Sequence, residues 1–81
     1  MSHRLTLYYR SGCSLCEDMQ RELAGRSGLQ GVSLQMVDVD SDEELERTYG
    51  HKVPVLTAAD GEEICHYFLD QQALDAYFAT H

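Results

Sequence analysis

Apolar and polar positions alternate along this chain with two different periods. Leu5-Thr6-Leu7-Tyr8-Tyr9 is apolar and aromatic with partial alternation, which predicts a first strand. A turn at Ser11-Gly12 follows. Leu15, Met19 and Leu23 then recur at helical spacing and predict a helix from about Ser14 to Ala24 with one apolar stripe. Gly25, Gly28 and Gly31 break that pattern. Residues 32 to 39 read as a second strand. Apolar positions 32, 34 and 36 give way to 37 and 39, so both faces are expected to meet core, as in a central strand. Ser41 followed by Glu44 fits a capping box for a short helix that carries Leu45 and Tyr49 and ends at Gly50. Residues 53 to 58 form a third expected strand. Asp60-Gly61 signals a tight turn, and residues 62 to 67 return as a fourth strand in a hairpin. Asp70 is placed to cap a last helix that buries Ala73, Leu74, Tyr77 and Phe78.

The order is β-α-β-α-β-β-α, an α/β fold: a four-stranded mixed sheet flanked by three helices. Strands alternating with helices predict parallel crossovers among the first three, and the hairpin adds an antiparallel edge. Two helices on one face and one on the other would cover the sheet. A length of 81 residues sets the expectation of one domain over 1–81. Hydrophobic residues at 43% and charged residues at 25% are a globular mixture, not that of a disordered chain.

Charge narrows the partners. The net charge is −8 and only six residues are Lys or Arg, whereas phosphate binding needs clustered cations. Nucleic acid and anionic membrane are therefore not expected partners. No apolar run approaches the roughly 20 residues of a membrane span, and MSHRLTLYYR lacks the apolar stretch of a secretory signal. A cytoplasmic location is the expectation.

The candidate chemistry lies at Cys13-Ser14-Leu15-Cys16, where the first helix is expected to begin. Residues three apart share a helix face, so two sulfurs in the first turn can reach one another. The unpaired N–H groups of that turn and the positive end of the helix dipole favour a thiolate. The dipole contributes roughly 0.3–1 kcal/mol, less than one unit of pKa at 1.36 kcal/mol each, so direct hydrogen bonds must supply any larger shift. Arg10 could add to this. Glu17 and Asp18 stabilise the helix end but oppose a second negative charge. An exposed thiolate attacks a disulfide, and the second cysteine displaces the mixed disulfide formed. Cys13, nearer the helix mouth, is the expected nucleophile, and Cys16 the resolving thiol. Zinc uses the same spacing, but a structural site needs four ligands. The candidates to complete one are Cys65, His66 and His51, and Cys65 and His66 are adjacent on a strand and point to opposite faces. No metal is assigned. A bridge that closes so short a loop restricts the unfolded chain little, which argues against a mere staple.

Pro54 is the one proline, within Lys52-Val53-Pro54-Val55-Leu56. It can begin a strand, since it cannot donate to a ladder, or it can follow a cis peptide. Both readings stand on the residues alone.

Together LTLYY, SGCSLC opening a helix, YGHKVPVL, the DGEEI hairpin and a final amphipathic helix resemble the glutaredoxin-like proteins of the thioredoxin superfamily, in particular small members with a C-x-L-C pair. The resemblance spans nearly the whole chain. It implies a thiol–disulfide oxidoreductase or electron carrier that uses Cys13 and Cys16. It also implies a cis Pro54 beside the pair and a Val53 backbone that hydrogen-bonds an extended substrate. Expected partners are protein or low-molecular-weight disulfides and thiols, with a reductase or glutathione as electron donor and no cofactor. The pattern also departs from the family. Ser14 and Leu15 replace Pro and Tyr between the cysteines, Lys52 replaces a threonine, and no buried acid lies in the first strand. The Gly-Gly-x-Asp that holds the γ-glutamyl end of glutathione is absent where this chain reads CHYFLDQQ. Lys52, Arg10 and Arg47 remain to receive its carboxylates.

Gly12 is expected to let the chain turn into the pair. Cys65 reads as a small core residue, and His3, His51, His66 and His81 as surface residues. Two rival functions stand beside redox exchange: a thiolate-ligated metal or iron–sulfur module, and an interaction domain whose cysteines are vestigial.

Overall fold

Seven residues, His3–Tyr9, form β1, and the rest of the sheet is arranged around it in a computed structural model that describes residues 3–25 and 32–80. Gly28, Gly31 and His81, and the side chain of His3, lie outside the described residues. β1 leads through a turn into α1 (Ser14–Gly25), then β2 (Val32–Asp38), a 3-10 turn (Val39–Ser41), α2 (Glu43–Tyr49), β3 (Val55–Ala58), β4 (Glu63–His66) and α3 (Gln71–Thr80). The sheet order is β2-β1-β3-β4. The predicted α/β class and element order are present.

Two expectations about the sheet are corrected. β2 is an edge strand and not a central one. It pairs only with β1, in parallel from His3↔Val32 to Tyr9↔Asp38, and Leu34 is left 37% exposed. Its last apolar residue, Val39, leaves the strand and is fully buried in the 3-10 turn. β3 is antiparallel to β1, from Leu5↔Ala58 to Tyr8↔Val55, where a parallel crossover was expected. The reason is length. α2 has seven residues and advances about 10 Å, whereas seven strand residues cover about 23 Å, so α2 cannot return the chain to the far end of the sheet. β3 therefore starts at the end where β2 stops and runs back. The hairpin from β3 to β4 is antiparallel, as expected, with a register shift between Leu56 and Thr57. Gly61, at φ +90°, supplies the turn.

The caps show a smaller shift. Ser41 belongs to the 3-10 turn, and Asp42 caps α2 instead, its carboxylate accepting from the Glu44 N–H at 2.8 Å. The strand boundaries also tighten: Pro54 precedes β3, and Tyr67 lies beyond β4. Asp70 does cap α3, accepting from the Ala73 N–H at 3.0 Å.

Side chains alternate along a strand, so Leu5 and Leu7 share one face of β1 and Tyr8 takes the other. Leu5, Leu7, Leu56 and Cys65 meet Met19 and Leu23 of α1 and Leu74 of α3 in one core. Each fully buried leucine there contributes about 1.5–3 kcal/mol. On the opposite face, Tyr8 stacks on Tyr49 of α2 with ring centroids 4.1 Å apart. Two helices thus cover one face and one the other.

Candidate active site

The site grows from the end of β1. The Cys13 N–H donates to the Arg10 carbonyl at 3.3 Å, closing a turn whose third residue, Gly12, has φ +77°. That is the left-handed position a type II turn requires, and glycine takes it without steric cost. The turn delivers Cys13 to the cap of α1. Its carbonyl accepts the first helical hydrogen bond, from Glu17 N–H at 3.1 Å. Its sulfur accepts from the Cys16 N–H at 3.2 Å. This is the pattern of a Ser or Asp cap, with a sulfur in place of the oxygen. One otherwise unpaired N–H of the first turn is therefore aimed at the Cys13 Sγ.

Cys13 and Cys16 are joined as a disulfide, with Cα atoms 5.2 Å apart. Their exposures differ. Cys13 is half-buried, whereas Cys16 is 3% exposed, set one turn into the helix beside Met19. Ser14 is exposed and Leu15 half-buried between them.

Register places the proline loop at the same end of the sheet. Tyr8 pairs with Val55, so Pro54 comes level with Tyr9, just before the turn to Cys13. The Val53-Pro54 peptide is cis, as the resemblance implied and as the residues alone left open. Among the described residues no hydrogen-bond partner falls to the Val53 backbone, while the Pro54 carbonyl accepts from the Tyr67 N–H at 2.9 Å.

Of the three expected substrate cations, Arg10 and Lys52 are already engaged. Arg10 points its guanidinium away to Asp40, whose two oxygens lie 3.3 Å from Nε, and to Glu46 at 3.1 Å, and it donates to the Gly50 carbonyl at 3.4 Å. Gly50 is required there, because a Cβ would stand 2.5 Å from the Glu46 carbonyl and 2.9 Å from Arg10 Nη2. Arg10 thus ties the active turn to α2. Lys52 donates to Glu63, which also meets His66 Nδ1 at 2.8 Å. The Lys52 hydrogen bond, joined by the His66 one, holds the Glu63 carboxyl below the usual carboxylate range.

Cys65 is buried at 8% exposure on β4, and burial pushes its thiol pKa up, so it stays a protonated core group. His66, its neighbour, faces solvent on the other side. Among the described residues no three His, Cys, Asp or Glu side chains gather into a metal ligand set, and no helix is long and apolar enough to cross a membrane.

Sequence reasoning missed the segment after β4. Phe68 N–H donates to the His66 carbonyl at 2.7 Å, a three-residue turn centred on Tyr67 at φ +65°. Tyr67 is held by its hydroxyl, which donates to the His51 carbonyl at 3.0 Å. It remains 41% exposed and Phe68 68% exposed. Leu15, Asp18, Met19, Glu22, Tyr67, Phe68 and Leu69 line one shallow depression. The available signal was the short interval between strand end and the Asp70 cap, which leaves Tyr67 and Phe68 no element to bury them.

The fold has parallels among solved structures. A protein from Nitrosomonas europaea, Ne2328, solved by NMR, superposes with TM-score 0.84 at 38% identity over 95% of this chain and 92% of its own. The protein XcR50 from X. campestris gives TM-score 0.74 at 36% identity over 95% of this chain and 97% of that one. The oxidized form of mitochondrial thioredoxin 3 from Saccharomyces cerevisiae shares the fold, with TM-score 0.68 at 19% identity over 99% of this chain and 79% of that one. Among proteins of curated function none matches. A close cysteine pair on this thioredoxin-like fold supports a thiol redox role in general terms. The family described as Glutaredoxin-like domain (DUF836) matches residues 4–79, nearly everything from β1 to α3, and the chain belongs to that glutaredoxin-like family.

Proposed function

We propose that the protein is a thiol–disulfide oxidoreductase in which Cys13 attacks and Cys16 resolves. One observation carries this reading: the half-buried Cys13 sulfur takes the cap position of α1 and accepts the Cys16 N–H, while Cys16 is nearly inaccessible. In the reduced protein the same N–H and the helix dipole favour a thiolate on Cys13. That thiolate attacks one sulfur of a substrate disulfide, the substrate S–S bond breaks, and one substrate thiolate leaves. The Cys16 thiolate then attacks Cys13 Sγ, the mixed disulfide breaks, and the second substrate thiolate leaves. Two electrons pass from the pair to the substrate, and the pair ends as the disulfide. An external thiol, from a reductase or a low-molecular-weight donor in a reducing cytoplasm, returns both electrons. The Val53 backbone, which has no hydrogen-bond partner among the described residues, offers the donor and acceptor that an extended substrate would pair with.

The test is dithiol-driven turnover of hydroxyethyl disulfide. Wild type is expected to turn over, Cys13→Ser to fall to background, and Cys16→Ser to accumulate a mixed disulfide seen as added mass on Cys13. An adduct on Cys16 would reverse the roles, and identical behaviour of the two variants would overturn the assignment. A stoichiometric metal or visible chromophore in freshly purified protein would replace redox exchange with a thiolate-bound centre.

A further inference from the structure

We infer that Leu15, Tyr67 and Phe68 form a docking shelf for a polypeptide disulfide whose cysteine is flanked by apolar and basic residues, and that glutathione disulfide is a poor substrate. The inference rests on the thiol–disulfide reading and adds the substrate class to it.

Three observations carry it. First, the shelf adjoins the pair: Leu15 lies between the cysteines and lines one depression with Tyr67 and Phe68, and the Tyr67 N–H is bonded to the Pro54 carbonyl. Second, the aromatic rings of the shelf lie outside the core. Phe68 is 68% exposed, and Tyr67 sits at φ +65°, a conformation that costs a side-chain-bearing residue about 1–2 kcal/mol. A strained backbone that presents aromatic surface to water and not to the core is a feature of binding sites. Third, the charge around it selects the occupant. Glu22 lines the same depression and Glu17 is exposed on the same helix, Asp18 on the rim is paired with Arg21 at 3.1 Å, and the whole chain carries −8. The cations about it are engaged, with Arg21 on Asp18, Arg10 on Asp40 and Glu46, and Lys52 on Glu63. A carboxylate-rich tripeptide thus meets a net acidic rim whose own arginine, Arg21, is already paired. An apolar side chain beside a basic one meets an aromatic shelf with carboxylates at its edge, which also speeds encounter at low salt.

The experiment compares four disulfides as substrates: hydroxyethyl disulfide, glutathione disulfide, and the disulfide-linked dimers of two capped peptides, Lys-Leu-Cys-Gly and Glu-Gly-Cys-Gly. Wild type should favour the Lys-Leu peptide over the acidic peptide and over glutathione disulfide by at least about tenfold in kcat/KM. Phe68→Ser should lower the ratio of Lys-Leu peptide to hydroxyethyl disulfide by about tenfold, the scale of losing one aromatic contact. Tyr67→Gly should do likewise while unfolding at no lower temperature, because glycine takes a positive φ without strain. That variant keeps the test valid if Phe68→Ser folds poorly. Asp18→Lys with Glu22→Lys should move the preference toward the acidic peptide. Flat preference in wild type, efficient use of glutathione disulfide, or an unchanged ratio in both aromatic variants would overturn the shelf while leaving the redox reading intact. Absence of turnover with every disulfide would instead overturn the redox reading itself.

Discussion

The first turn of α1 and the short strand β4 each hold cysteine, and they treat it in opposite ways. At the helix mouth, Cys13 is half-buried with an N–H directed at its sulfur. On β4, Cys65 faces the core with Leu5, Leu7, Leu56 and Leu74, and burial raises its pKa. Reactivity here is therefore a property of place. A helix terminus has donors to spare, and a sheet face spends its donors on the ladder and leaves the sulfur to pack against hydrocarbon.

The sharpest way to break this comparison is alkylation of the fully reduced protein. At pH 7 Cys13 should react at least about a hundredfold faster than Cys65, and its rate should follow an apparent pKa below the free-cysteine value of about 8.5. Mass mapping of the labelled protein reads both sites at once. Equal rates would show that place does not matter. Next in size is the core. Leu56→Ala, which empties a fully buried position beside Cys65, should cost about 2–5 kcal/mol in denaturant unfolding, and Cys65→Ala about 1 kcal/mol with turnover preserved. Loss of turnover in Cys65→Ala at intact stability would give β4 a chemical role.

Gly12→Ala comes third. Nothing crowds its Cβ, so the cost is backbone strain at φ +77°, about 1 kcal/mol, together with slower exchange as the turn that carries Cys13 shifts. Unchanged kinetics would mean that the turn merely connects. The smallest effect belongs to Glu63. Its folded pKa is depressed, so its stabilisation is present above the unfolded value near 4.5 and lost as pH falls through the folded value. Glu63→Gln should lower stability at pH 7 by no more than about 0.5 kcal/mol, since the pair is a third exposed, and the difference should vanish in acid. A variant whose deficit grows as pH falls would contradict the sign.

Much of this was legible in the residues. The Asp60-Gly61 hairpin, the Asp70 cap and the Met19 and Leu23 part of the α1 stripe are local signals found where the pattern put them, whereas Leu15, expected in the same stripe, is only half-buried and Cys16 takes its place in the core. The misplaced features depend on distant neighbours. The apolar run from 32 to 39 says what β2 contains but not how many strands flank it. The edge position shows only in Leu34 reaching solvent and Val39 turning inward. β3 runs backward because α2 is short, which needs the helix length weighed against the strand length. Arg10 meets partners 30 and 36 residues away, beyond any local pattern. Ser41 and Asp42 are both good caps, and the 3-10 turn at Val39–Ser41 decided between them. Tyr67 was expected to end the fourth strand, and no local pattern tells that the backbone reverses there.

β1 lies inside the sheet, between β2 and β3, with Leu7 wholly enclosed, and the loop to Cys13 springs from its end. Amide hydrogens on that strand should be among the last to trade with deuterium, released only when the chain opens globally. The most sluggish protons in the molecule would then sit a few residues from its fastest sulfur. Chemistry at the loop can repeat many times while the frame behind it stays still.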